Sequence, residues 1–351
     1  MKINQKVIGE GRTYIIAELS GNHNQDFGIA AKTVLAVAST GADAIKLQTY
    51  TADTLTLNVK DQGFMTDSDG PWAGQSLYSL YQKAYTPWEW HRPLQKIAHD
   101  HGLDFFSSPF DTSSVDFLAR LDVPAYKIAS FEITDIPLIE YMASKGKPVI
   151  ISTGIADEND IKLALDACER SGNVDVILLK CTSEYPASIG EANLRSISLL
   201  RERFGVPVGI SDHTLGTIVP LVAVTLGAAV IEKHVILDRA LGGVDSSFSL
   251  SIEEFAQMVR EIRSAEQALG IGSLSRTAKM EKARCSSRSL YVVKGVVKGQ
   301  LIEPCNLRSI RPGFGLHPRH YAELLGKRYA ADATIGTPMS WLLVDGSQGD
   351  I

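Results

Sequence analysis

The sequence is short of the features that mark secreted, membrane-bound or nucleic-acid-binding proteins. Its cysteines, Cys168, Cys181, Cys285 and Cys305, lie far apart and form no C-x-x-C pair. That spacing excludes a zinc knuckle and a disulfide framework, and it suits reduced thiols in the cytoplasm. Long apolar runs are absent. The opening stretch MKINQKVIGEGRTYIIAEL has none after its lysines, so neither export nor a membrane anchor is expected. Basic charge is in deficit, with 35 Lys and Arg against 40 Asp and Glu. A duplex binder needs a basic face to displace counterions, so nucleic acid is excluded as a partner. A local basic pocket for a small anion is compatible with that balance. With 44% hydrophobic and 21% charged residues, disorder is excluded and a large core is expected.

What is present is a rhythm. From Tyr14 to Gly270 short β-branched runs alternate with longer amphipathic stretches, the pattern of repeated βα units around a parallel sheet. The runs are YIIAEL (14–19), AIKLQ (44–48), DFFSS (104–108), AYKIA (125–129), PVIIST (148–153), VILLK (176–180), PVGIS (207–211) and AVIEKH (229–234). Eight strands, each followed by a helix, predict an α/β fold of the TIM (β/α)8 type. One connection, Thr51 to Tyr85, is long enough to act as a lid, or else to pack Trp72 and Tyr78 onto the barrel surface. After Gly272 the pattern changes. The reading is a catalytic barrel over 1–272, a polar linker over 273–285 and a small β-rich domain over 286–351.

Barrel enzymes assemble their sites at the carboxyl ends of the strands, and here nearly every end is polar. In order they offer Glu18; Lys46 and Gln48; Ser107 and Ser108; Lys127, Ser130 and Glu132; Ser152 and Thr153; Lys180 and Thr182; Ser211 and His213; and Glu232, Lys233 and His234. Desolvating so many polar groups is unfavourable unless they are paired or bind something. Lys46 and Lys127 with Ser130, Ser152 and Ser211 form a set that can hold a small, multiply charged anion. Lys180 and Lys233 fit that set or simple pairing with barrel carboxylates equally well. By strand alternation Glu232 and His234 share a face and Lys233 points to the helices. His213 and His234 either converge on one divalent ion, with Mn²⁺ favoured over Co²⁺, Zn²⁺ or Mg²⁺, or serve as structural histidines. His23 is a further ligand candidate or a plain loop residue. Glu18, expected to face the barrel axis, is placed to act as a base.

The strings AELSGNHNQD, GADAIKLQTYT, FSSPFD, PAYKIASFEITD, KPVIISTGIA, SDHTLG and GAAVIEKHVILDR resemble the N-acetylneuraminate synthase family, and SRSLYVVKGVVKGQ through SIRPGFG resembles its antifreeze-like (SAF) domain. Within it, LYSLYQKAYTPWEWH, PAYKIASFEITDIPLIEY and RSIRPGFGLHPRHY look most like the pseudaminic acid branch. The resemblance implies a condensation of phosphoenolpyruvate with an amino sugar, here a 6-deoxy diacetamido hexose. It implies phosphoenolpyruvate contacts from Lys46, Ser108, Lys127, Ser130, Ser152 and Ser211, and a metal on His213 and His234. Gln48, Glu132, Tyr185 and Asp245 fall at sugar-side positions. Arg311 corresponds to an arginine that the SAF domain delivers into the partner's barrel, which implies a domain-swapped homodimer. Ser183 and Glu184 precede Tyr185 where the sialic-acid branch often has an amide, a departure from recognition of N-acetylmannosamine. The other readings are a sialic or legionaminic acid synthase, a Schiff-base pyruvate aldolase using Lys127, and an inactive barrel that displays a sugar-binding module.

Overall fold

The computed structural model describes residues 1–67 and 70–346. Two positions of the long connection and the last five of the expected small domain therefore lie outside the described residues. The chain forms two compact units, Met1–Gly270 and Ile271–Ile351.

The first unit is a closed barrel. Its strands are β1 (Tyr14–Glu18), β2 (Ala44–Thr49), β3 (Asp104–Pro109), β4 (Tyr126–Ile128), β5 (Val149–Ser152), β6 (Val176–Cys181), β7 (Val208–Asp212) and β8 (Val230–Ile236). They pair in parallel in chain order, and β8 bonds both β7 and β1 to close the ring. Each expected strand is found, with ends displaced by a residue or two. Parallel strands covered on both faces read as continuous apolar runs, and β5, VIIS, is buried throughout. The helices between strands are set by local chemistry. Asp157 accepts the amides of Asn159 and Asp160 to start Glu158–Arg170, and Asp160 answers as a capping box. Ser251 and Glu254 do the same for Ile252–Leu269, whose Phe255, Met258, Val259 and Ile262 pack inward at three- and four-residue spacing.

The amino-terminal end of the barrel is shut. A hairpin pairs Lys2–Ile3 with Lys6–Val7, and Lys6 Nζ lies 3.0 Å from Asp104 Oδ2 at the start of β3. Tyr14 Oη donates to the same carboxylate at 2.7 Å, and Arg263 meets Asp43 at 2.8 Å. The opposite end is left for the site. The long connection after β2 is structured: it contains helices Ala52–Leu55 and Leu77–Ala84 and a bridge between Met65 and Ser76. Trp72 does pack on the barrel, whereas Tyr78 bonds Asp53 inside the same connection.

In the second unit Ser289–Val292 pairs antiparallel with Leu307–Ile310, and isolated bridges such as Val296 to Ala333 and Leu301 to Arg328 extend the β character. Leu290, Val292, Ile302, Leu307, Leu324, Tyr329 and Met339 form its own core. The expected linker differs from a plain coil: Ala278–Ala283 is a helix whose start is capped by the Thr277 hydroxyl. Ala, Lys, Met and Glu are strong helix formers, and a capped start lets six of them wind.

Gly209 sits inside β7, where a Cβ would stand 2.2 Å from the Val230 carbonyl oxygen and 2.7 Å from Val230 Cβ. No flexible side chain can yield there, because the obstacle is the neighbouring strand's backbone. Gly209→Ala is expected to part β7 from β8 and destabilise the barrel by about 1–3 kcal/mol or more. Thermal unfolding followed by circular dichroism checks this, and an unchanged Tm would contradict it.

Candidate active site

The barrel brings its polar strand ends together in a buried cluster. At its centre Lys46, from β2, lies 3.0 Å from Glu18 Oε2 on β1 and 3.4 Å from Glu232 Oε1 on β8. It also donates to Ser108 Oγ on β3 at 3.2 Å. Gln48, two residues along β2, donates to Glu18 Oε1 at 3.1 Å and to Ser20 Oγ at 2.9 Å. Ser211 on β7 donates to Glu232 Oε1 at 3.1 Å. Lys127 on β4 donates to Ser152 Oγ on β5 and to the Ile128 carbonyl, each at 2.7 Å. Just beyond, Ser183 donates to Ser130 Oγ at 2.7 Å. Seven of the eight strands thus contribute to one set of cations, carboxylates and hydroxyls, and all of the side chains just named except Gln48 and Ser183 are buried.

Burial reshapes the acid–base character of this set. Removal from water pushes the Glu18 carboxyl up to about 7, against the pull of Lys46 and with the help of Glu232. Glu232 goes the other way: burial opposes its charge, but Lys127, Lys46 and the Ser211 hydrogen bond outweigh burial and hold it low. Lys46 is raised, since its two carboxylates outweigh burial. Lys127, without a contacting carboxylate, is lowered by burial. Glu132 is likewise pushed up to about 7 by burial. Three carboxylate oxygens here, Glu18 Oε2, Glu232 Oε2 and Glu132 Oε2, are buried with no hydrogen-bond donor, although Lys46 faces the first as an ion pair. Buried acceptors without partners are what a site presents to a missing ligand.

His213, after β7, and His234, on β8, stand with ring centroids 5.2 Å apart. His213 Nδ1 lies 2.9 Å from the Thr182 carbonyl, which fixes that nitrogen as the N–H and leaves Nε2 outside that bond. His234 is held far below the usual imidazole range, first by burial and then by His213, so it is neutral. Its Nδ1 is buried with no hydrogen-bond partner, with Asp245 Oδ2 3.7 Å away. The unpartnered His234 nitrogen, with the His213 ring beside it, fits a divalent ion held by imidazoles, although the neighbouring Cys181 favours a proton on His213 that such an ion would displace. Among the described residues no group of three His, Cys, Asp or Glu side chains forms a complete cage, so such an ion would keep open positions for water and substrate. Tyr185 packs on His213 at 4.5 Å, and Phe248 packs on His234 at 5.0 Å and on Tyr185 at 5.1 Å. Asp245, buried in the β8 loop, is raised by burial.

Other candidates lie apart from this cluster. Lys233 is buried and paired with Asp212 and the Thr214 carbonyl, the pairing alternative for that residue. Lys180 donates to Thr182 Oγ1 at 2.8 Å. Ser107 points the other way on β3 and bonds Thr49. His23 is corrected from ligand candidate to structural residue: one ring nitrogen meets Thr86 Oγ1, the other accepts the Gln25 amide, and Trp90 packs edge-on against it. Arg311 is exposed in the second unit. Sequence reasoning assigned no role to Glu232, although alternation along β8 placed it on the His234 face. It singled out Ser183 only as a departure from the sialic-acid branch, and it passed over Phe248 and Gly154, where a Cβ would stand 2.1 Å from Ser183 Oγ and 2.5 Å from Ser130 Oγ. A side chain there would displace both hydroxyls from the positions in which they bond each other.

Lys46 separates two buried carboxylates, so Lys46→Met should raise Glu18 further. A carboxyl raised in the folded state binds protons that the unfolded chain has released, and stability then falls as pH climbs from the ordinary carboxyl range through the folded value. The variant is expected to lose stability at every pH, by about 3–5 kcal/mol where both carboxylates are charged, and more at pH 8 than at pH 5.5. Denaturant unfolding at both pH values checks it; equal losses would contradict the pairing.

The NeuB family model matches residues 33–273, and the SAF domain model matches 287–344. A pseudaminic acid synthase of Campylobacter jejuni is 46% identical over 93% of this chain and 94% of its own length. An N,N'-diacetyllegionaminic acid synthase of Legionella pneumophila is 38% identical over 93% of each. Among solved structures, an N-acetylneuraminic acid (sialic acid) synthetase of Leptospira borgpetersenii in complex with citrate superposes with a TM-score of 0.72 at 31% identity, covering 80% of this chain and 94% of the other. With its barrel matched along most of its length and its two units matched in the same order, the chain belongs to the NeuB family and carries a SAF domain.

Proposed function

We propose that this chain condenses phosphoenolpyruvate with a 6-deoxy diacetamido hexose and water, giving pseudaminic acid and phosphate. The observation that carries the reading is the Lys46 and Lys127 pair ringed by Ser108, Ser130, Ser152 and Ser211 in one buried cluster. Two cations and four hydroxyls match an anion that bears both a phosphate and a carboxylate. The choice of sugar rests on the 46% identity to a pseudaminic acid synthase.

The chemistry follows from the positions. The lysines and serines fix phosphoenolpyruvate, while Gln48, Glu132, Tyr185 and Asp245 orient the open-chain sugar so that C3 of the enol meets the aldehyde carbon. A carbon–carbon bond forms, the aldehyde oxygen takes up a proton and becomes a hydroxyl, and positive charge develops at C2. Water adds at C2 and gives its proton to Glu18. Cleavage of the C2–O bond then expels phosphate, which takes up the proton of the new C2 hydroxyl, and leaves the 2-keto acid. A divalent ion held by His213 and His234, Mn²⁺ by preference, would supply Lewis-acid polarisation of the sugar carbonyl. In the same reading the enzyme works in the cytoplasm as a homodimer, with Arg311 of each chain completing the sugar side of the other's barrel; its exposure and charge suit that role.

One observation favours a second reading. Lys127 is buried and its ammonium is disfavoured, as in lysines that form Schiff bases with keto acids. Its hydrogen bonds to Ser152 and Ile128 favour an anion-binding role. Borohydride with pyruvate is expected to leave no adduct, whereas EDTA is expected to abolish turnover and Mn²⁺ to restore it; a trapped adduct on Lys127 would reverse the choice.

Glu18 supplies the pH test. A base must be ionised, and its carboxyl sits at about 7, so kcat/KM should rise as pH climbs through that region. Glu18→Gln is expected to lower phosphate release by about 10²-fold or more and to remove this limb, while Glu132→Gln keeps it. Full activity in Glu18→Gln would remove Glu18 from the mechanism.

A further inference from the structure

Trp72 belongs to the connection after β2, yet it is tied to loops that follow other strands at the barrel mouth. Its Nε1 donates to the Val244 carbonyl, in the loop after β8, at 2.8 Å. Its ring lies 5.4 Å from Tyr185, tilted by 51°, and 6.2 Å from Phe248, edge-on. Those two rings are the ones that pack on the histidine pair. The backbone that carries the indole is held as well: the Thr66 hydroxyl donates to the Trp72 carbonyl at 2.6 Å and accepts the Gln75 amide at 3.0 Å. Trp72 is half-buried, while Phe248 is fully buried.

The two sides of the site therefore differ in kind. Around Lys46 and Lys127 the surroundings are cations, carboxylates and hydroxyls. Beyond His213 and His234 there stand three aromatic rings, whose one free polar group is the Tyr185 hydroxyl, since the indole N–H is already spent on Val244. The indole face makes favourable contact with C–H and methyl surface and offers nothing to a hydroxyl, which would lose its water on entering.

We propose that Trp72 is a specificity-determining residue, which with Tyr185, and with Phe248 packed behind both, forms an apolar wall for the methyl-bearing side of a deoxygenated, acetylated sugar. This rests on the substrate reading given above and adds to it the group that selects the sugar. The contact distinguishes a sugar whose terminal carbon is a methyl group from one whose terminal carbon carries a hydroxyl. Because Trp72 reaches neither lysine, binding of phosphoenolpyruvate is independent of it.

The test compares wild type, Trp72→Ala and Trp72→Phe with the 6-deoxy diacetamido hexose and with N-acetylmannosamine, measuring phosphate release, KM for phosphoenolpyruvate and Tm. Trp72→Ala is expected to lower kcat/KM for the deoxy sugar roughly tenfold or more, the usual weight of a methyl contact, and to move the slower N-acetylmannosamine reaction by less than about twofold. Trp72→Phe is expected to keep most of the preference, and KM for phosphoenolpyruvate and Tm should be unchanged in both variants. An equal loss for both sugars, or no loss for either, overturns the proposal while leaving the condensation reading intact. A wild type that releases phosphate with neither sugar overturns that reading, and the inference with it.

Discussion

The site depends on a lysine placed between two carboxylates out of water. Lys46 faces Glu18 and Glu232 at once, and it favours the charged form of both. Removing charges from water is unfavourable by several kcal/mol per ion even after relaxation. The barrel bears this because the three side chains come from strands that neighbour one another around the closure, β8, β1 and β2, so backbone ladders fix the geometry before the charges meet. The arrangement also splits two chemically identical acids. Glu232, reached by two lysines and a serine, stays ionised, whereas Glu18 is left near neutrality and able to exchange a proton. Pairs of like groups driven apart in this way divide labour between electrostatic support and proton transfer.

Much of this was legible in the sequence, for a physical reason. Strands buried on both faces must be apolar throughout, so a lysine or glutamate inside such a run, as in AIKLQ, AYKIA and VIEKH, stands out against its neighbours. Alternation then gives its direction: Lys46 and Glu232 point to the axis, and Lys233, one residue on, meets Asp212 on the other side. The eight strands and the β-rich second unit were readable because periodicity and turn residues carry that information. The resemblance to known synthases added the roles that geometry alone leaves open.

What the sequence did not disclose lies where no period exists. Trp72, Val244 and Phe248 come from irregular connections, and their meeting depends on long loops folding back over the mouth. Gly154 looks like any turn glycine until two serine hydroxyls are seen to fill the space its side chain would need. His23 sits in a motif that reads as a ligand, but its two nitrogens are consumed by Thr86 and Gln25. In the expected linker a hydroxyl cap was enough to wind six residues that composition alone marked as polar.

The sealed amino-terminal end of the barrel bears on traffic. The hairpin at Lys2–Ile3 and Lys6–Val7 and the carboxylates of Asp43 and Asp104 stopper that end, so the approach to the Lys46 cluster is from the carboxyl ends of the strands. Whatever binds that cluster and whatever leaves it then share one path.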